Sequence, residues 1–325
     1  MEQREQINAR KQAILVVSFG TSYPGTLKLT IEAVENRIRQ AFPEYQVRRA
    51  FTSRVVIKRL AERDGVQIDN EIEALERLAN EGFQDVYIQP LHIVHGAEYE
   101  KIKKIVAHYD QAHEKTFDKI RLGRPLLSCM EHEEHPDDYE IAIKALASQL
   151  PEPAADSAVI FMGHGGVHPA NAAYALLQLK FEDAGLDHVF VYTVEGFPPF
   201  SRIIGKLHQQ RVKKVTLMPF LLVAGEHATN DMAGDDEDSA KSQLIAAGFD
   251  VEVYFHGLGE NTAIQDIYID HLRSAIADPL HGAGHEHNHR HHQGCCHGHG
   301  HAHGDNRHGH CQSHSHQDCG KAASS

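Results

Sequence analysis

The chain of 325 residues has no tryptophan, and of its five cysteines only Cys129 lies before residue 281. A body with one thiol cannot close an internal disulfide, which fits a reducing compartment. No apolar run approaches the roughly 20 residues needed to cross a bilayer, so no membrane partner is expected. The first residues, MEQREQINARKQ, are polar and lack the apolar stretch of a secretory signal. The cytoplasm is the expected location. Excess positive charge is also missing: the formal charge is −13 with histidines neutral. Without a basic stripe to displace counterions from phosphates, nucleic acid is not an expected partner. There is no GxxxxGK[ST] loop and no GxSxG elbow, and GHGG is not GxGxxG, so no nucleotide is implied.

What remains is a chain with enough apolar residues, 41%, to build a real core. Short apolar runs recur at Ala13–Phe19, Gln46–Thr52, Asp85–Gln89, Lys119–Leu122, Ala158–Met162, His188–Thr193, Lys214–Pro219 and Asp250–Phe255. Amphipathic stretches separate them: Gly25–Phe42, Asn70–Glu81, Ala97–Ala112, Asp138–Leu150, Ala170–Ala184, Phe200–Gln210, Asp238–Ala247 and Thr262–Ala277. Continuous apolar strands alternating with helices predict an α/β chain with parallel sheets covered on both faces.

The two halves echo each other. ILVVSFGTSYP (Ile14–Pro24) aligns with VIFMGHGGVHP (Val159–Pro169), and VYIQPLHIVHGAEY (Val86–Tyr99) with VTLMPFLLVAGEHA (Val215–Ala228). The expected fold is therefore two similar lobes, each a four-stranded parallel sheet flanked by helices, followed by a disordered tail. The divisions are residues 1–150, 151–280 and 281–325, with the linker near Leu150-Pro151-Glu152-Pro153.

Ligands of such sheets collect outside the carboxyl ends of the strands. In the second lobe, three such ends carry an imidazole or a carboxylate: His164 between glycines, Glu195 in TVEGFP, and His227 in AGEHATNDM. They lie about thirty residues apart in sequence, yet parallel strands can bring them to one edge. A glycine-rich turn in which His164 is incidental is the plainer alternative for that residue alone. Two imidazoles and a carboxylate suit a borderline divalent ion such as Co2+, Ni2+, Fe2+ or Zn2+. Having no thiolate, the set is unlike a closed structural zinc site. In the first lobe Phe19 stands opposite His164 and Glu98 opposite His227. Glu98 either adds a carboxylate across the cleft or is a solvated acid at a helix start; His92 and His95 lie close by.

These motifs resemble the anaerobic sirohydrochlorin cobaltochelatases (CbiK type), class II chelatases related to ferrochelatase. The matching pieces are LVVSFGTSYPGT, QPLHIVHGAEYEKI, FMGHGGVHPAN, TVEGFP and LLVAGEHATNDMAGDDEDS, in order and spanning the body to about Leu280. The resemblance implies that His164, Glu195 and His227 hold the metal and carry out catalysis. It also implies ATP-independent insertion of Co2+ into sirohydrochlorin during cobalamin biosynthesis. Substrate-facing positions are then Phe19, Glu98, Gly165, Gly166 and Gly196, the glycines offering bare backbone to a flat macrocycle. Arg54, Lys58 and Arg202 are candidates to offset its carboxylates. Nickel or iron insertion, or metal storage without catalysis, are the alternatives. A homo-oligomer is allowed but not demanded.

From His281 onward apolar side chains almost vanish, and 14 of the 27 histidines and four cysteines accumulate. Such a segment has too little to bury and is expected to be disordered. Its mixed Gly-His-Cys pattern, including His291, His292, Cys295, Cys296, His297, His299 and His301, suits metal binding for buffering or delivery.

Overall fold

The computed structural model describes residues 10–113, 115–131 and 136–277, all within one compact unit, Met1–Glu286. The first sheet uses β1 (Gln12–Ser18), β2 (Gln46–Phe51), β3 (Asp85–Pro90) and β4 (Lys119–Leu122). Its helices are α1 (Pro24–Leu29), α2 (Ile31–Ala41), α3 (Arg54–Asp64), α4 (Glu71–Asn80), α5 (Ala97–Gln111) and α6 (Asp138–Leu146). The second sheet uses β5 (Ser157–Gly165), β6 (Val189–Glu195), β7 (Lys214–Pro219) and β8 (Asp250–Val253). With it come α7 (Ala172–Asp183), α8 (Ile203–Gln209), α9 (Ala240–Ala246) and α10 (Thr262–Ala277). No helix among the described residues is long and apolar enough to cross a membrane.

Both sheets are fully parallel and have the same order, β2-β1-β3-β4 and β6-β5-β7-β8. Their registers repeat the sequence echo: Val17 pairs with Pro90, and Met162 with Pro219. The central strands β1 and β5 are buried from Ala13 to Ser18 and from Ala158 to Gly163, as strands covered on both faces must be. One apolar core, including Ile14, Val16, Phe51, Phe161, Phe181 and Phe220, joins both lobes. Separate cores cover the outer face of each sheet.

Three features depart from the sequence expectations. The single helix expected over Gly25–Phe42 breaks at Thr30, whose φ of −114° and ψ of −84° leave the helical region. The Thr30 hydroxyl donates back to the Thr26 carbonyl, a bond that bends helices. Gly259 packs close to Thr30, where any Cβ would lie 2.8 Å from the Thr30 Cβ. Helix α3 was not among the expected helices, although Ser53 caps it by accepting from the Val56 N–H, and Gly65 ends it in the left-handed conformation. Last, α10 follows the second sheet in sequence but packs on α2, α6 and β3 of the first. Its Tyr268 hydroxyl donates to the Leu91 carbonyl at 3.3 Å, and its Asp266 takes a two-pronged bond from Arg37.

Candidate active site at the carboxyl edge of the second sheet

Strand β5 runs buried to Gly163 and then delivers His164 into the open, exposed. The glycines around it serve the backbone. A Cβ on Gly163 would strike the Tyr174 ring at 2.3 Å. Gly165 has φ +79°, and a Cβ there would fall 1.7 Å from the Glu195 carbonyl oxygen. This close crossing ties β5 to the end of β6, with Gly165 paired to Glu195 and the Gly166 N–H donating to the Glu195 carbonyl at 2.9 Å. Gly196 likewise sits against the Gly166 carbonyl and Asn171. Bare backbone offered to a ligand therefore fits only Gly166, which has open space around it; Gly165 and Gly196 are taken up by their own chain.

His227 lies where β7 has ended and the chain re-enters a helix, just ahead of a π-helical turn, Ala228–Met232. The wide turn sets Asp231 beneath it. Its Nδ1 lies 2.9 Å from Asp231 Oδ2; a carboxylate at this distance accepts, so Nδ1 carries the proton. The Nδ1 of His164 lies 3.1 Å from the Gly165 carbonyl oxygen, which can only accept, and the same tautomer follows. Both Nε2 lone pairs are thus left free. The two rings meet edge to face with centroids 4.7 Å apart.

Glu195 closes β6 and is exposed, beside Gly165 but apart from the imidazole pair. Among the described residues no three His, Cys, Asp or Glu side chains stand together closely enough to hold a metal ion. The structure therefore brings together His164 and His227 and leaves Glu195 one strand away.

The first sheet's edge differs. Phe19 is 56% exposed. Glu98 is half-buried, and its Oε1 accepts from Lys101 Nζ at 2.6 Å. Burial pushes its carboxyl up, but the Lys101 ammonium outweighs this and leaves it below its ordinary value. Burial lowers His92 and His95 to about 4, so both are neutral. Neither ring nitrogen of His92 has a partner, whereas His95 Nε2 meets Ser128 Oγ at 2.5 Å.

Around both edges stand exposed apolar side chains: Phe19, Tyr23 and Val55 from the first lobe, Val167 and Phe197 from the second. Of the cations named from sequence, Arg54 is committed to a two-pronged pair with Glu71. Arg202 stacks over the Phe197 ring at 5.1 Å, and Lys58 has only a loose pair with Glu62 at 3.7 Å. Sequence reasoning missed Asp231, although its spacing of four from His227 was visible. It also missed Arg59, which reaches Glu226 at 3.8 Å across the two edges. The tail positions His291, His292, Cys295, Cys296, His297, His299 and His301 lie outside the described residues.

The fold is shared with chelatase-like structures. SirB from Bacillus subtilis, solved with Fe3+, is similar with a TM-score of 0.56 at 15% identity, over 82% of this chain and 96% of that one. A multi-domain Deinococcus radiodurans protein, described as structurally similar to chelatases, has a TM-score of 0.52 at 15% identity, over 82% of this chain and 56% of that one. The two-lobed frame is thus chelatase-like in its fold. Within it, this chain belongs to the cobalt chelatase (CbiK) family, whose pattern matches residues 12–277. A sirohydrochlorin cobaltochelatase of Salmonella typhimurium is 43% identical over 266 residues, 82% of this chain and 97% of that protein. Sirohydrochlorin cobaltochelatase CbiKC of Nitratidesulfovibrio vulgaris is 34% identical over 279 residues, 85% of this chain and 95% of that one.

Proposed function

We propose that this chain inserts Co2+ into sirohydrochlorin in the cytoplasm, without a nucleotide, to give cobalt-sirohydrochlorin for cobalamin biosynthesis. The observation that carries the reading is the imidazole pair. Both Nδ1 atoms meet acceptors and the two rings lie 4.7 Å apart, which leaves each Nε2 for a cation, as in metal-binding histidines oriented by outer partners.

Co2+ binds as substrate to His164 Nε2 and His227 Nε2. Glu195 completes the set from the neighbouring strand, and its charge offsets part of the charge of the ion. Two neutral nitrogens and one carboxylate hold a borderline cation while leaving positions open. That suits an ion that must be passed on rather than kept. The macrocycle lies against the exposed apolar side chains, with Phe19 facing it from the first lobe. As its nitrogens replace the protein ligands, two pyrrole N–H protons must leave. His164 Nε2, freed as the ion leaves it at the exposed end of β5, takes one of them, and solvent water takes the other. Asp231 positions His227 and stabilises the charge it gains while bound to the ion.

Anaerobic incubation with sirohydrochlorin and Co2+, Ni2+ or Fe2+ in turn, without ATP, tests the reading through the absorbance change on insertion. Cobalt insertion faster than that of the other two ions supports it. Metal binding with an unchanged pigment spectrum contradicts it and points to storage.

A further inference from the structure

A tetrapyrrole fringed with carboxylates is an anion, and this chain has a formal charge of −13. Its binding needs a local exception to that charge. Helix α3 supplies one: Val55, Lys58, Arg59, Glu62 and Arg63 share one face and line a cavity of about 490 Å3. Arg59 Nη1 donates to Ser22 Oγ at 3.4 Å, and Arg63 Nη2 donates to the Ser22 carbonyl. Ser22 lies three residues beyond Phe19, so this cationic face adjoins the first lobe's apolar edge.

The cations differ in availability. Arg63 is held by both oxygens of Asp64. Arg59 has one carboxylate partner, Glu226, at 3.8 Å and with no hydrogen bond within normal geometry. Both side chains of that pair are more than 40% exposed, a setting in which an ion pair contributes little. Glu226 belongs to the second lobe and immediately precedes His227. A planar guanidinium prefers a carboxylate that it can grip with two parallel bonds, which Glu226 does not offer here.

We infer that Arg59 is a specificity-determining residue that binds a peripheral carboxylate of the tetrapyrrole, exchanging Glu226 for it across the mouth of the cleft. The exchange also releases the residue next to His227 when pigment arrives. The inference rests on the chelatase reading above.

Steady-state cobalt insertion at varied sirohydrochlorin tests it in the wild type, Arg59→Ala, Arg59→Lys and Glu226→Gln. Loss of a charge-assisted pair predicts a rise of about tenfold in the KM for sirohydrochlorin in Arg59→Ala, with kcat changed far less. Arg59→Lys keeps the charge but not the fork and falls between. Glu226→Gln weakens the competitor and lowers the KM. Salt raises the KM of the wild type more than that of Arg59→Ala. Thermal melts of each variant exclude misfolding. An unchanged KM in a folded Arg59→Ala, or a raised KM in Glu226→Gln, overturns the inference. A wild type that inserts no cobalt overturns the chelatase reading instead.

Discussion

At the end of β1 the chain places Phe19 before Gly20, which has φ +94°; at the end of β5 it places His164 before Gly165, with φ +79°. After β3 the Leu91 N–H donates to the Val17 carbonyl, and after β7 the Phe220 N–H donates to the Met162 carbonyl. The Gly96 and Gly225 N–H groups then make the same bond, each to the carbonyl two residues back. The two edges therefore share a backbone and differ in side chains. The first lobe buries its imidazoles, neutral, at His92 and His95, and shows an aromatic ring to solvent. The second exposes its imidazoles and fixes their tautomers through Gly165 and Asp231. Under the proposed function the duplicated frame is divided between a macrocycle face at the first edge and a cation site at the second, where two imidazoles stand exposed side by side.

The contrast is broken most directly by exchanging the marker residues. Removing an orienting partner alone costs metal sites about 10–100-fold, so His164→Ala or His227→Ala should lower cobalt insertion at least about a hundredfold with an unchanged melt. Phe19→Ala, at the matching position, should raise the KM for sirohydrochlorin by a few-fold and leave cobalt affinity alone. Equal losses in both would show that the edges are not specialised. Next in size, Asp231→Ala should raise the KM for Co2+ by about tenfold, since His227 then loses its preferred tautomer. A merely structural role for Asp231 would change the melting temperature and leave that KM in place.

The buried histidines of the first lobe carry a pH signature. An imidazole depressed to about 4 by burial stays neutral in the folded chain, while its unfolded counterpart takes a proton below about 6.5. The stabilising contribution is full above pH 6.5 and is lost as pH falls toward 4. The loss is about 1.4 kcal/mol per pH unit for each group. Asp138, held to about 2 against its burial by His271 and Arg124, adds to this only at still lower pH. Urea melts at stepped pH should show the slope, and His92→Leu should remove about half of it. The smallest effect belongs to the tail: deleting residues 281–325 should leave insertion at saturating cobalt unchanged and slow it when cobalt is scarce. Equal rates under scarcity would remove the delivery role.

Much of this was legible in the sequence because duplicated strands repeat their punctuation. Pro90 and Pro219, Gly96 and Gly225, and Pro24 and Pro169 recur at matching positions, and from them came the two similar four-stranded lobes; the strand order itself came only from the structure. His164, Glu195 and His227 were named from strand ends alone, and their common edge is a property of parallel sheets. What was hidden depends on contacts distant in the chain. Thr30 breaks its helix where its hydroxyl turns back to Thr26 and Gly259 packs close, and α10 packs on α2, α6 and β3 of the first lobe. Arg59 and Glu226 meet only once both lobes are built. At Gly165, too, the constraint is the Glu195 carbonyl, which no local pattern reveals.

Anomalous diffraction from crystals soaked anaerobically in Co2+ tests the division of labour most directly. A cobalt peak within bonding distance of His164 Nε2 and His227 Nε2, with none at the Phe19 and Glu98 edge, is the predicted result. Cobalt bound at the first sheet's edge, or with those two nitrogens turned away from it, would contradict it.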